Sequence, residues 1–575
     1  METNLKVIGR REPRKEGWSK VSGAAEYTAD MRLPNTQFGV VVRSPYHHAR
    51  ILEIDTSAIV SKAQGVVVLT AKDVPGLNSF GALVKDQPVL AEEEVRHVGE
   101  PVALVVAETL EAARRAAKDV IVNYAPLDAV FDPAEALKPD APLVHLAGNL
   151  LAGFEVTSGD LQKGFEEAEV CLEENFSVQR VSPGYLETEN SLARVNPDGS
   201  ITVWVSSQMP FADQREIAAV LGIPVEKVQV IGSTIGGAFG GREDSSMAIL
   251  TAFAAWLVQG TVRIVNDRRE SFTAHPKRHL AKFNIKLGAK RDGTLTALDI
   301  KVLMDTGAYA SLGPAVGQLL TEVAQGPYFI PNAKVETKVV YTNSPYSGAM
   351  RGFGSPQALF ALESCLDMLA ERLGIDPFDL RKKNLLKPGN ALNTRVVMDE
   401  SVLSVSQCLD RAYAAREKLL QIKPGSGKKS GVGLALAMQT VGLGAKVPDN
   451  SSHRLEWLPD GKVLLRLGAS DLGQGLTTIS EQIVAESLGL PFDSVITAPL
   501  DTSTTPDGGA TCASRMTYLV GNAFVDCSKL LIKNLIELAA KELKIPSEEI
   551  QYDSGEVVLP DGRHYPASEF ASRAA

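Results

Sequence analysis

The residues best placed to do chemistry lie in the run GSTIGGAFGGRED, from Gly232 to Asp244. Gly232, Gly236, Gly237, Gly240 and Gly241 surround one large apolar side chain, Phe239, and the run closes on Arg242, Glu243 and Asp244. Glycine reaches positive φ and lets backbone approach a ligand closely, so such a loop can turn its N–H groups onto a bulky polyanion. Three further segments are rich in glycine or hydroxyl groups: SGAMRGFGSPQ (Ser347 to Gln357), DLGQGLTT (Asp471 to Thr478) and DTSTTPDGGATCASRMT (Asp501 to Thr517). Arg351, set among small residues, can fork onto a phosphate or an oxo ligand, or equally satisfy carbonyls at a turn. The hydroxyls of Ser503, Thr504, Thr505, Thr511 and Ser514 suit phosphates or a pterin. Neither GxxxxGK[ST] nor GxGxxG occurs in the glycine run, which sets aside the common nucleotide cradles. His275 and His279 have the i, i+4 spacing of metal ligands, but Pro276 and the basic run HPKRH favour a surface turn or a phosphate-side contact.

These segments need elements to hold them. A β-branched stretch, VEKVQVI, reads as a strand ending at Ile231 and feeding the glycine run. Near the N-terminus FGVVVRSP, QGVVVLT and PVALVVA read as strands and TLEAARRAAKDV as a helix. An internal repeat links distant parts: EIAAVLGIPVEKVQV, IVAESLGLPFDSVIT and LAAKELKIPSEEIQY each run a helix into a proline and then a strand. Proline is expected to halt each helix. Upstream of the first two copies lie Gln208 and Gln474, which can approach one ligand from two sides or simply be polar residues before helices. The chain thus reads as an α+β protein made by duplication, divided at residues 1–130, 131–410 and 411–575.

Composition narrows the function classes. A net charge of −10 over 575 residues leaves no basic surplus to neutralise nucleic-acid phosphates. The five cysteines, Cys171, Cys365, Cys408, Cys512 and Cys527, form no CxxC pair, which argues against an iron–sulfur cluster or zinc ribbon held by this chain. No run of about 18 apolar residues occurs and the first residues have no signal-peptide core, so a soluble, cytoplasmic protein without membrane contact is expected.

Taken together, GGAFGGRE, GAMRGFGSPQ, DLGQGLTT and TCASRMTYLVGNA resemble the molybdenum-binding subunit of the xanthine dehydrogenase/aldehyde oxidase family. GAAEYTAD, VVRSPYHHARI and VGEPVALVVAET resemble that family's α/β hammerhead domain. The resemblance implies a hammerhead domain over residues 1–130, a first molybdopterin-binding domain over 131–410 and a second, incomplete one over 411–575. It implies a molybdenum–molybdopterin cofactor, in the cytosine dinucleotide form usual in bacteria, with no protein atom ligating the metal. Gln208, Gly237, Ala238, Phe239, Gly240, Arg351, Gln474, Thr511, Cys512, Ala513 and Ser514 would contact the cofactor or its ligands. Glu243 and Phe353 would contact substrate, an N-heterocycle or an aldehyde hydroxylated with water as the oxygen source. Electrons would leave through 2Fe-2S clusters and FAD on partner subunits.

Two departures from the family pattern stand out. A second substrate position, arginine in xanthine oxidases, falls at Val323 within LLTEVAQGPYFIPN. The family's catalytic glutamate lies in a Gly-x-Gly-Glu segment after the TCASR region, and these 575 residues contain none. The base is therefore expected on a missing segment or a separate C-terminal polypeptide. The alternatives are a truncated homologue without turnover alone, or a reductase-type member acting on aromatic thioesters.

Overall fold

A computed structural model describes residues 5–60, 65–422, 424–425, 427–444 and 447–574. The largest sheet has seven strands in the order Val228–Gly232, Ile201–Val205, Asn190–Val195, Thr261–Val265, Thr36–Arg43, Pro101–Ala107, Val67–Leu69. Strands from before residue 110 and after residue 190 therefore share one sheet. They meet where Thr36–Gly39 runs parallel to Thr261–Ile264. Gly39 makes that seam possible, because a Cβ there would stand 2.7 Å from Cγ1 of Ile264. The helix Ser246–Val258, SMAILTAFAAWLV, is apolar nearly all round and lies buried against this sheet, as a helix without a polar face must.

A second sheet orders Leu150–Ser158, Asn332–Tyr341, Leu295–Gly307, Leu280–Ala289 and Val170–Val178. In the strand Leu280–Ala289, Ala281, Phe283, Ile285 and Leu287 turn inward while Lys282, Asn284 and Lys286 keep partial exposure. That is the period-two pattern of a sheet covered on one face. The helices Gly313–Val323 and Ser355–Leu373 cover it. A smaller unit pairs Arg454–Trp457, Val463–Arg466 and Val495–Thr497 and packs them with the helices Leu476–Leu488 and Gly521–Leu543. Among the described residues no helix is long and apolar enough to cross a membrane.

All three repeat copies form the expected units: Pro210–Leu221 leads to Val228–Gly232, Leu476–Leu488 to Val495–Thr497, and Gly521–Leu543 to Gln551–Asp553. The stop signal differs from the expectation. Gly222, Gly489 and Lys544 take left-handed φ of 66°, 67° and 57° and cap the helices before the proline is reached. Each proline instead opens a short 3-10 turn leading into the strand.

Candidate functional site

The glycine run leaves the strand Val228–Gly232 at the junction between the two repeat units. Gly232 N–H donates to the carbonyl of Leu500 (2.9 Å) and Thr502 N–H to that of Val230 (3.0 Å), so the second unit continues the edge of the large sheet. Beyond this point the loop is held from below. The carboxylate of Glu187 accepts from Gly236 N–H (2.7 Å) and from the hydroxyl of Ser206 (2.8 Å). Arg242 is buried, donates to the carbonyl of Glu187 (2.6 Å), and lies 4.2 Å from the ring centre of Tyr185. Its guanidinium serves the scaffold and not a ligand.

Gln208 is the junction of the site. It is 2% exposed, its Oε1 accepts from Gly240 N–H (3.1 Å), and its Nε2 donates to the carbonyl of Thr511 (2.7 Å) and to Oε1 of Glu243 (3.2 Å). Its backbone N–H reaches the carbonyl of Arg242 (2.9 Å), and its carbonyl accepts from Thr511 N–H (3.0 Å). One side chain thereby joins the glycine loop, the TCAS segment and the acidic residue. The third segment is tied in by Arg351 N–H, which donates to the carbonyl of Phe239 (2.8 Å). The Arg351 side chain is exposed and makes no ion pair or hydrogen bond among the described residues. Phe239 is 46% exposed, and Phe353 is half-buried.

The backbone of this cradle sits in sparsely populated conformations. Phe239, Phe353, Ala513 and Ser514 have φ of 56°, 47°, 50° and 54°, and Gly237, Gly240, Gly352 and Gly354 are also left-handed. Non-glycine residues persist there only when their surroundings dictate it, and such positions gather at ligand sites. Two consecutive left-handed residues, Ala513 and Ser514, turn their N–H groups to one side. Among the described residues, the N–H groups of Gly237, Ala238 and Phe239 have no protein acceptor.

Burial sets the electrostatics. It pushes the carboxyl of Glu243 up to about 8, against the opposing hydrogen bond from Gln208. Glu243 is thus a neutral acid at neutral pH, able to donate a hydrogen bond. Burial and then the charge of Glu243 push the Cys512 thiol up to about 12, so it is no thiolate ligand. Folded Glu243 binds its proton more tightly than the unfolded chain between the ordinary 4.5 and about 8. Stability from this source is full below pH 4.5 and is lost as pH rises through about 8. Glu243→Gln removes the loss. Thermal melts are expected to put the variant on the order of 2–5 °C above the parent at about pH 9 and level with it at about pH 5. Parallel melting curves across that range would show the carboxyl to be solvated.

The structure corrects three expectations. HPKRH is not a surface turn: His275, Lys277 and His279 are all buried beneath the glycine loop. His275 Nε2 lies 2.6 Å from the carbonyl of Gly241, and burial drives His279 down to about 3. Among the described residues no group of three or more His, Cys, Asp or Glu is placed to hold a metal ion. Gln474 stands apart, exposed, its Oε1 accepting from Leu472 N–H (2.6 Å) with no hydrogen bond to the other site residues. The Thr511 hydroxyl bonds Ser470 N–H (2.8 Å) and is spent on the scaffold, leaving its backbone to the site. Val323 is buried at the end of its helix.

Several positions carried no motif. Glu189 takes Asn266 Nδ2 (3.2 Å), the Ser271 hydroxyl (3.0 Å) and the Tyr185 hydroxyl. Burial raises its pKa, but His275, Tyr185 and Arg242 together hold it down to about 2. The acidic pair Glu187 and Glu189 within GYLETENSLA was the available signal. Arg515 is 1% exposed and braces the TCAS segment from behind.

Comparison with known proteins places these features in context. Residues 22–128 match the family model described as "Aldehyde oxidase and xanthine dehydrogenase, a/b hammerhead domain", and residues 144–385 and 407–575 match two models of a molybdopterin cofactor-binding domain. The chain is 37% identical over 531 residues to a probable xanthine dehydrogenase component of Bacillus subtilis, covering 92% of this chain and 71% of that protein. It is 35% identical over 426 residues to the nicotinate dehydrogenase large molybdopterin subunit of Eubacterium barkeri, covering 73% of this chain and 98% of that subunit. The crystal structure of quinoline 2-oxidoreductase from Pseudomonas putida 86 superposes with a TM-score of 0.87 at 27% identity, over 99% of this chain and 76% of that one.

Proposed function

We propose that this chain, which belongs to the xanthine dehydrogenase/aldehyde oxidase family of molybdenum-dependent oxidoreductases, is the molybdopterin-binding large subunit of an enzyme that hydroxylates an N-heterocycle. The observation that carries the reading is Gln208, whose single side chain unites the glycine loop, the TCAS backbone and Glu243. The residues present fit the cofactor. Free N–H groups at Gly237, Ala238 and Phe239, the left-handed pair Ala513 and Ser514, and the unpaired guanidinium of Arg351 offer donors to a large anionic group. Gln208, Gly240 and Cys512 would wall it, and Gln474 would reach it from the second repeat. When bound, the molybdenum–pterin group, in its cytosine dinucleotide form, supplies the two-electron redox chemistry.

The protein's own groups then govern substrate. In the overall change, ring C–H and water become ring C–OH, two protons and two electrons. Glu243 as a neutral acid donates a hydrogen bond to a ring nitrogen, which orients the carbon next to it; Phe353 packs the ring face. Val323 offers no charge at the second substrate position, which favours a ring with few anionic substituents. A second carboxylate, the base, comes from outside these residues on a companion polypeptide. The length match to a protein named "large molybdopterin subunit" supports that division. Electrons pass to 2Fe-2S and FAD subunits.

The test is Glu243→Gln in the assembled enzyme, assayed on nicotinate, hypoxanthine, quinoline and an aldehyde. Molybdenum content should stay at the parental level while kcat/KM on the preferred heterocycle falls on the order of 10–100-fold. Loss of molybdenum would move Glu243 into the cofactor's surroundings. A parent enzyme free of molybdenum and pterin would end the reading altogether.

A further inference from the structure

Between the helix Leu403–Leu420 and the strand Arg454–Trp457 the chain crosses the surface as an extended segment, GVGLALAMQT, Gly431 to Thr440. Its side chains alternate as a strand's do. Leu434, Leu436 and Met438 are half-buried, Leu434 and Leu436 against the core beneath the helix Ser355–Leu373, while Ala435 and Ala437 face outward. Yet it belongs to no sheet. Among the described residues its backbone makes one hydrogen bond, from Leu436 N–H to the carboxylate of the buried Glu363 (3.0 Å). Exposed apolar side chains continue beyond it: Val441 at 60% and Leu443 at 41%. An apolar, flat and unpaired edge is what folded proteins normally cover, because its free N–H and C=O groups template another strand.

We propose that Gly431–Thr440 is a docking edge that takes a β-strand from the companion polypeptide carrying the rest of the second molybdopterin domain. This rests on the reading of the chain as a large molybdopterin subunit. Two observations point to that occupant instead of a second copy of this chain. This chain spans 98% of the Eubacterium large subunit but 71% of the Bacillus relative and 76% of the quinoline enzyme chain, so the longer proteins carry further polypeptide in the same chain. The segment also runs directly onto the cradle. Gly442 N–H donates to the carbonyl of Ala513 (3.0 Å), Leu443 N–H to Asp449 (2.9 Å), and Asp449 pairs with Arg515 (2.6 Å). Near its end the Gln439 side chain meets the hydroxyl of Ser355, two residues after Phe353. A strand added here lies beside both walls of the site, where a companion's carboxylate can reach it. Backbone pairing supplies affinity, and the alternate outward positions, Ala435 and Ala437, are small enough to let the strand lie close.

Hydrogen exchange on the chain alone and on the holoenzyme purified with all its subunits tests this. Amides of residues 432–440 should exchange without protection in the chain alone and gain protection on the order of 100-fold in the holoenzyme. A photo-crosslinker at residue 437 should capture the companion polypeptide. Ala437→Pro removes an N–H that makes no bond within this chain, so it should leave the melting temperature of the chain alone unchanged while weakening holoenzyme assembly. Protection already present in the chain alone, crosslinks between copies of this chain, or crosslinks within it would each overturn the proposal. A holoenzyme that contains molybdenum and turns over while the segment stays unprotected sinks the docking edge and leaves the functional reading standing. Protection in an assembly devoid of molybdenum does the reverse.

Discussion

Replacing Arg515 by methionine is expected to destabilise the unit built on residues 450–545 by about 3–5 kcal/mol and to leave the purified protein without molybdenum. The guanidinium is 1% exposed and uses all its nitrogens: Nε on Asp449 (2.6 Å), one terminal nitrogen on the carbonyls of Gly508 (3.1 Å) and Ala510 (3.0 Å), the other on that of Asn450 (2.6 Å). Methionine fills the volume but leaves three carbonyls and a carboxylate without their donor. Removing one partner of a buried ionic group costs far more than the pair's net worth. The loop so released carries Thr511, Cys512, Ala513 and Ser514, and the left-handed backbone of the last two has no other reason to persist. Arg515→Lys should rescue little, because a point charge cannot fork across two strands of carbonyls. Denaturant melts and metal analysis read both effects. A variant within about 1 kcal/mol of the parent in stability, the worth of one ordinary hydrogen bond, and fully loaded with metal would show that another group holds the loop.

Gly240→Val is expected to abolish cofactor loading while the rest of the chain stays folded. Gly240 has φ of 97°, and a Cβ there would stand 2.8 Å from the carbonyl carbon of Ala349 and 2.9 Å from Cα of Met350. Those are backbone atoms, and the bond from Arg351 N–H to Phe239 keeps them from stepping aside. Valine adds a β-branch in a region that costs L-residues about 1–2 kcal/mol even without a clash. The glycine loop must therefore part from the Arg351 segment, separating two walls of the site. Gly237→Val makes a graded comparison. Its Cβ would meet side-chain atoms of Phe239 and Tyr185, both at 3.1 Å, which can yield in part, so loading should fall less. Metal and pterin content of both variants, with circular dichroism as the check on folding, gives the ranking. Equal loading in Gly240→Val and parent would show that the two walls do not need to touch.

These two residues also mark what the sequence made legible. Gly240 lies in a run whose composition announces a cradle, and the helix–proline–strand repeat is visible because local propensity and spacing produce it. Gln208 is recognisable by its segment, yet its bond to Thr511 spans 303 residues and no local pattern encodes it. Arg515 and Glu187 are silent for the same reason. Each satisfies backbone groups contributed by another part of the chain, and only the folded arrangement of carbonyls and amides gives them work. HPKRH misleads because a basic, proline-containing run is usually solvated. Here the strand Leu280–Ala289 draws it under the glycine loop, where buried acceptors receive its donors. The seven-stranded sheet is equally hidden, since the strand pairing that joins residue 36 to residue 261 leaves no trace in either segment.

That sheet has a consequence for how such enzymes diversify. The region matching the hammerhead model, residues 22–128, is inserted into the next unit through the parallel seam at Gly39 and Ile264. It is not a detachable module. A chimera that exchanges residues 22–128 between relatives carries over one side of an interdigitated seam and must find its match on the other. A relative with a larger side chain opposite Gly39 would split the sheet, whatever the identity elsewhere. Along this lineage the hammerhead and the strands after residue 190 are constrained to change together, and the glycine at their contact is the position that keeps them in step.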